Sequence, residues 1–226
     1  MCGRFALAVP RRLVAEAMGV PDMPRNIPDR PEIFPGELVE AVFAARQSGR
    51  RMAGILRWGF LPPFARADRP QRPMINARAE TALDKPSFRG AVRYRRCLLP
   101  AQGFYEWRKD PGGAKTRFFI TLPQIPVMAL AGIYERTLTP EGEARDTVAI
   151  LTRPASPQMA AIHDRMPLIL SPDAFAAWLD PRLTERRDVA ALLATPPPTL
   201  RLLENGGPEE DGKDGGETRS AVPHPA

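Results

Sequence analysis

An α+β fold with mixed, mostly antiparallel strands is what these 226 residues predict. Three observations carry that expectation. Strand-like runs outnumber helical ones, the helical stretches are short, and no regular strand–helix–strand alternation runs through the chain. A doubly wound parallel sheet is thereby excluded. The length fits one large domain and suffices to bury a core without cross-links. Hydrophobic residues make up 43% and charged residues 26%, the balance of a globular chain.

The elements follow in order. Arg4–Val9 reads as a strand directly behind the N-terminus, and residues 11–18 as a helix closed by Gly19. Residues 20–36 are proline-rich and read as an extended loop. Leu38–Arg46 and Arg51–Phe60 read as strands joined through Gln47-Ser48-Gly49. A second proline- and arginine-rich loop covers Leu61–Pro73, and Thr81–Val92 holds short helical pieces. Strand-like runs then recur at Arg96–Leu99, Phe104–Arg108, Thr116–Leu122, Val127–Tyr134 and Thr147–Thr152. Gln158–Ile162, Asp173–Leu179 and Asp188–Leu193 read as short helices. The domain is expected over residues 1–203. Residues 204–226 are acidic and rich in Gly and Pro, so a disordered tail is expected there.

Several classes of protein are excluded early. No run of 18 apolar residues occurs, so no membrane-spanning helix and no membrane partner are expected. The start, Met1-Cys2-Gly3-Arg4-Phe5, lacks a basic segment followed by an apolar one. A secretory signal is therefore not expected, and the reducing cytoplasm is the expected compartment. The chain has two cysteines, Cys2 and Cys97, and two histidines, His163 and His224. That inventory supports neither a disulfide framework nor a zinc cluster of repeated Cys/His pairs, and no metal or cofactor is expected. Net charge is +6, but from Glu204 onward six acids face two bases. The body therefore carries +10 against −4 on the tail. All but four of the chain's 32 basic residues are arginine, whose planar fork suits phosphate. A basic body permits nucleic-acid binding without establishing it, because a GC-rich genome also favours arginine codons.

Cys2 is the sharpest chemical feature. Removal of Met1 would leave an amine with a pKa near ~8 and a thiol near ~8.5 on one residue. A 1,2-aminothiol condenses with an aldehyde to an imine and then closes a five-membered thiazolidine. Gly3 permits close approach of backbone or substrate, and Arg4 can hold a phosphate. Asn76, in Ile75-Asn76-Ala77-Arg78-Ala79-Glu80, offers an amide to orient a substrate oxygen, or else caps the following helix. Arg78 shares a face with it in an extended segment. Glu106 lies among aromatics in Gly103-Phe104-Tyr105-Glu106-Trp107, a setting for a general acid or base, or for an exposed strand carboxylate. Trp58 and Trp107 are either core residues or stacking surfaces for an unpaired base. His163, before Asp164-Arg165-Met166-Pro167, is either a proton shuttle or a structural imidazole. Cys97 reads as a buried, inert thiol.

Six ordered blocks carry a resemblance. They are Met1-Cys2-Gly3-Arg4-Phe5, Arg57-Trp58-Gly59, Ile75–Thr81, Gly103–Trp107, Ala131-Gly132-Ile133-Tyr134 and Ile162–Leu168. On them the chain resembles the SOS-response-associated peptidase (SRAP) family of abasic-site-processing proteins. The resemblance implies strands curled into a barrel-like single domain with short peripheral helices and a cationic groove for single-stranded DNA. It implies that Cys2 crosslinks to the ring-opened aldehyde of an abasic site in the DNA damage response, acting as a monomer, nucleoid-associated in the cytoplasm. Asn76 would position the reacting sugar, Glu106 and His163 would move protons, and Arg4 and Arg78 would hold flanking phosphates. Trp58 or Trp107 would pack at the DNA. It also implies peptidase chemistry at the same residues, at least removal of the chain's own Met1.

The chain departs from the family pattern in places. Where the family carries Tyr-Asn-hydrophobic-Ala-Pro, this chain has Pro31-Glu32-Ile33-Phe34-Pro35, an acid in place of the amide. Thr152-Arg153-Pro154-Ala155-Ser156 stands for the usual Thr-x-x-Ala-Asn. No counterpart of the family's C-terminal strand is evident, since Leu200-Arg201-Leu202-Leu203 runs into the acidic tail. Two rival functions remain at this stage: a cysteine-dependent peptidase using Cys2, His163 and Asn76, and a non-covalent single-stranded DNA-binding module. The covalent reading requires a folded chain that brings residue 2 to the carboxylate and imidazole and leaves it within reach of a sugar.

Overall fold

A computed structural model describes residues 2–24, 29–45, 48–64, 72–139 and 141–209. In chain order the first elements are β1 (Phe5–Leu7), α1 (Arg11–Met18), β2 (Arg30–Ile33), β3 (Leu38–Ala44) and β4 (Arg51–Trp58). Then come β5 (Asn76–Arg78), α2 (Ala79–Ala82), α3 (Arg89–Tyr94), β6 (Arg96–Ala101), β7 (Gly103–Lys109) and β8 (Lys115–Thr121). The rest are β9 (Met128–Leu138), β10 (Ala144–Pro154), β11 (Arg165–Pro167), β12 (Ile169–Leu170), α4 (Phe175–Leu179), α5 (Arg186–Leu193) and β13 (Arg201–Glu204). A single 3₁₀ turn, Pro172–Ala174, leads into α4.

The α+β expectation holds, and the barrel can be traced strand by strand. β10 pairs with β4, β4 with β3, β3 with β6, β6 with β9, and β9 again with β10. The ring of five closes on itself. Its pairings are antiparallel except β10–β4, which is parallel. Closure pairs each of these strands on both sides over part of its length, and their runs of small and branched apolar residues fill the interior. Gly132 sits where β9 pairs with both β6 and β10. A Cβ there would come within 2.7 Å of the Cys97 sulfur, so only glycine permits that approach. Cys97 is fully buried, as expected of an inert thiol.

A second, wholly antiparallel sheet runs β13-β8-β7-β1-β2. The chain passes into it from the barrel at Gln102, whose N–H donates to Ala6 O at 2.7 Å. One face of this sheet contributes Phe5, Phe104, Phe118 and Ile120 to the main core. The other carries a separate cluster of Ala6, Tyr105 and Phe119, with Trp107 and Leu203 against it. Alternation along β7 therefore sends Glu106 and Tyr105 to opposite faces.

Several sequence expectations need correction. Residues 20–36 are not all loop: Arg30–Ile33 is an edge strand on β1, where Pro31 is tolerated because an edge need not donate. The closing strand judged absent exists, since Arg201–Glu204 pairs with Phe118–Thr121 of β8. Order also continues past residue 204. The N–H of Asn205 donates to Arg117 O at 2.8 Å, and Gln102 Nε2 to Pro208 O at 2.8 Å. The tail from residue 210, including His224, lies outside the described residues, as do Gln47 and most of the 61–73 loop. Gln158–Ile162 forms consecutive turns instead of a helix, with Met159 N–H and Ile162 N–H each bonding three residues back. By contrast, α1 ends as expected: Gly19 adopts φ 65° and its N–H bonds Glu16 O.

Candidate active site

Cys2 lies just ahead of β1, which is held between β2 and β7. The Cys2 side of this arrangement faces the main core, and the residue is fully buried. Burial pushes its thiol far above the ordinary range, and the charge of Glu106 pushes the same way. A hydrogen bond from the Arg4 backbone offsets this in part. The sulfur is therefore a neutral thiol at neutral pH. The expectation of a reachable Cys2 is not met in this state of the chain, whose Cys2 nitrogen is still tied in the peptide bond to Met1.

β5 delivers Asn76. The three-residue strand continues the line of β4 along β10, with Asn76, Ala77 and Arg78 opposite Ile150, Leu151 and Thr152. Nothing in its own sequence marks it as a strand; it forms because β4 leaves the β10 edge free beyond Val148. Asn76 Nδ2 donates to Cys2 O at 2.9 Å. Its Oδ1 is buried and has no hydrogen-bond partner among the described residues. The amide therefore grips residue 2 and keeps one acceptor in reserve beside it. Arg78 ends the strand and is exposed.

Glu106, on β7, is 4% exposed. Its neighbours on β8 are set by the Glu106↔Phe118 register. Its charge is near enough to the Cys2 sulfur to raise the thiol, in a largely apolar surrounding. This disposes of the reading as an exposed strand residue.

His163 follows the turns at 158–162 and is a quarter exposed. Its Nδ1 faces a donor and an acceptor: the Arg165 N–H at 3.0 Å and Asp164 Oδ1 at 2.8 Å. The two contacts cannot both be bonds in one protonation state. With Nδ1 bare, the Arg165 N–H donates to it and Nε2 carries the proton. With Nδ1 protonated, it donates to Asp164. Nδ1 thus has a partner in either tautomer, and the ring is held in place. β11, which follows His163, and β5, which carries Asn76, both pair with β10 at Thr152.

Two residues that the sequence reading passed over lock these arms together. Arg165 is bidentate on Glu80, with the second bond at 2.9 Å, and also donates to Thr152 O at 2.8 Å and Thr152 Oγ1 at 3.2 Å. The Arg165 bond holds the Glu80 carboxyl below its usual range. Glu80 follows Asn76 on α2 and Arg165 follows His163, so the pair ties the amide arm to the imidazole arm. Both sit inside motifs noted in the sequence, but no local pattern says that they meet.

The tryptophans divide. Trp58 is no stacking surface. It is fully buried, its ring lies 5.2 Å from that of Phe5, and its Nε1–H donates to Ile75 O at 2.9 Å. With no face open and its polar atom spent, it serves the core and steadies the residue preceding Asn76. Trp107 is half-buried, and the Arg4 guanidinium lies 4.8 Å from its ring centre.

The elevated thiols give a testable consequence. Cys2 and Cys97 are both pushed up by burial, so above about pH 8.5 the unfolded chain loses thiol protons that the folded chain keeps. Their contribution to stability is complete below that value and is lost as pH rises past it, at roughly 1.4 kcal/mol per thiol per pH unit. Urea unfolding at pH 7 and pH 10 is expected to show the loss, and Cys97→Ala to show a shallower one. Equal slopes for both proteins would exclude the Cys97 part.

A five-stranded barrel with an antiparallel sheet against it, carrying a second-position cysteine held by an amide beside a buried carboxylate, defines a class of protein built around its own N-terminus. The chain belongs to the SOS response associated peptidase (SRAP) family, whose family model matches residues 1–204. It is 35% identical over 195 residues to the abasic site processing protein YoqW of Bacillus subtilis strain 168, covering 85% of this chain and 86% of that one. It is 32% identical over 203 residues to the abasic site processing protein YedK of Escherichia coli K12, covering 84% and 86%. A crystal structure of a protein from Bacteroides thetaiotaomicron superposes with a TM-score of 0.77 at 25% identity, over 90% of this chain and 91% of that one. Among the described residues no helix is long and apolar enough to cross a membrane, and no group of three or more His, Cys, Asp or Glu is placed to hold a metal.

Proposed function

We propose that the chain captures abasic sites in single-stranded DNA as a covalent thiazolidine on Cys2. The observation that carries this reading is the grouping at residue 2: the Asn76 amide on its carbonyl and the Glu106 carboxylate beside its thiol. The similarity to abasic site processing proteins supplies the substrate class.

The chemistry begins with removal of Met1, by an aminopeptidase or by the chain itself. Hydrolysis of that peptide bond frees the amine, and capture requires that the same loss uncover Cys2, which is fully buried while Met1 is attached. An abasic sugar equilibrates with its open aldehyde. The Cys2 amine adds to C1′ and water leaves, giving the imine. The thiol then adds across the C=N bond, its proton passing to nitrogen, and the ring closes. One water is released overall. A raised thiol pKa suits this order, because the sulfur stays protonated while the amine attacks first. Glu106 receives and returns the protons exchanged at nitrogen and sulfur. The imidazole of His163 serves the sugar oxygen during ring opening, and Asn76 Oδ1 accepts from the freed amine. Closing the ring removes the imine that would otherwise permit β-elimination, so the lesion is shielded and the strand stays whole.

Arg4 and Arg78 hold flanking phosphates, a salt-sensitive attraction without sequence preference. The protein acts as a monomer in the cytoplasm, on nucleoid DNA.

Met1-processed protein is to be mixed with an oligonucleotide carrying one abasic site and run on a denaturing gel. A band resistant to denaturant is expected for the unaltered chain and none for Cys2→Ala. An adduct that persists in Cys2→Ala would reject the mechanism. Retention of DNA without any adduct would instead favour the non-covalent module.

A further inference from the structure

Arg4 is two residues from Cys2, within about 7 Å of chain. Its guanidinium lies between two rings, 4.5 Å from the centre of Phe34 and 4.8 Å from that of Trp107. The Glu32 carboxylate bridges it to a second arginine. One oxygen accepts from Arg4 Nη1 at 3.3 Å, and the other from Arg117 Nη1 at 3.5 Å. Arg117 also lies over the Tyr105 ring and reaches Asn205 O and Gly206 O at 3.4 and 3.3 Å. β2, which carries Glu32, is pinned by Tyr105 OH donating to Pro31 O at 3.0 Å.

Two features of this cluster point past a structural ion pair. The contacts are long and the three side chains are each about a third exposed, 29%, 30% and 39% for Arg4, Glu32 and Arg117. Such pairs add little to folding and exchange readily. The arginines, by comparison, are held without Glu32, one by two rings and the other by a ring and two carbonyls. The geometry is a preformed two-arginine fork with a weakly held internal anion between its prongs.

We infer that Arg4 and Arg117, on the Tyr105 face beside the β2 edge and opposite the Glu106 face, form a phosphate subsite for a strand that leaves the Cys2 pocket around that edge, and that Glu32 occupies it until a DNA phosphate displaces the carboxylate. A backbone phosphodiester can take the carboxylate's place because its two non-bridging oxygens can each accept a charge-assisted bond from one guanidinium. Glu32 lowers affinity for every strand alike, so that binding depends more on contacts at the lesion itself. This inference rests on the proposed DNA function and adds to it a second phosphate-binding arginine and an internal competitor.

The test uses the full chain and a single-stranded oligonucleotide with a tetrahydrofuran abasic analogue, which binds without forming an aldehyde. Fluorescence anisotropy is read from 50 to 300 mM KCl. Glu32→Gln is expected to bind about three- to tenfold more tightly at 100 mM salt, with a slope of log K against log salt steeper by about 0.7, the value for one further phosphate on a single strand. Arg117→Gln is expected to bind more weakly with a slope shallower by about 0.7. Unchanged or weaker binding by a folded Glu32→Gln, with an unchanged slope, would overturn the inference. Should that variant unfold, an unchanged slope in Arg117→Gln overturns it alone. Failure of the unaltered chain both to bind the analogue and to crosslink the natural site would instead sink the function on which the inference rests.

Discussion

Glu106→Gln is expected to slow covalent capture at least about 100-fold, the lower end of what a positioned acid–base group contributes. Glutamine keeps the size and polarity of the side chain in its buried place on β7 but cannot exchange protons. The substitution also removes the negative charge that helps hold the Cys2 thiol protonated. The two effects oppose each other, which makes the variant decisive. If Glu106 acted only by raising the thiol, its loss would expose more thiolate and speed ring closure. If it relays protons, the rate falls. Time courses on denaturing gels read the rate, and affinity for the tetrahydrofuran analogue should stay within a few-fold of the unaltered chain. Capture at an unaltered or increased rate would remove Glu106 from the mechanism.

Arg96→Met is expected to lower stability by about 3 kcal/mol or more, the largest single loss expected away from the site. Arg96 opens β6 and is 6% exposed. Its guanidinium donates to Trp178 O at 2.6 Å, Val92 O at 3.1 Å, Arg93 O at 2.7 Å and Asp180 O at 2.7 Å. These are carbonyls at the C-terminal ends of α3 and α4, which have no intrahelical donors of their own. Burial pulls its pKa down to about 10, yet the charge survives because the acceptors surround it. Methionine fills much of the volume and strands the Trp178, Val92 and Arg93 carbonyls, while Asp180 O keeps the Leu183 N–H at 3.3 Å. Arg96→Lys, a point charge with three donors, should lose about half as much. Urea unfolding at pH 7 measures both, and a loss under about 1 kcal/mol in Arg96→Met would mean that water reaches those carbonyls.

The long strands and α1 were legible because their own residues contain the signal. A run such as Val148–Leu151 is apolar whatever surrounds it, and Gly19 permits the left-handed turn that ends α1. The short strands were not. β5, β11 and β12 have two or three residues each and exist because β9 and β10 offer open edges to them. β13 carries no strand signal of its own, since Leu200-Arg201-Leu202-Leu203 runs into the acidic tail, and it forms where β8 presents its free side. The same division runs through the site. The chemical nature of Cys2, Asn76, Glu106 and His163 could be read from residue types, but whether Trp58 lies in the core or stacks on a base could not, because an indole suits either, and burial decides for the core.

The amino-acid order alone fixed the chemistry available to this chain: a cysteine at position 2, an amide, a carboxylate, an imidazole and a surplus of arginine on the body. Tertiary structure decided which of them meet. It put Asn76 on the carbonyl of residue 2, set Glu106 against its thiol, linked Glu80 to Arg165 across β10 and placed Glu32 between Arg4 and Arg117. The reason is physical. Residue type sets what a group can donate, accept or attack, whereas burial and distance, which set its protonation and its partner, arise only when strands far apart in sequence share an edge.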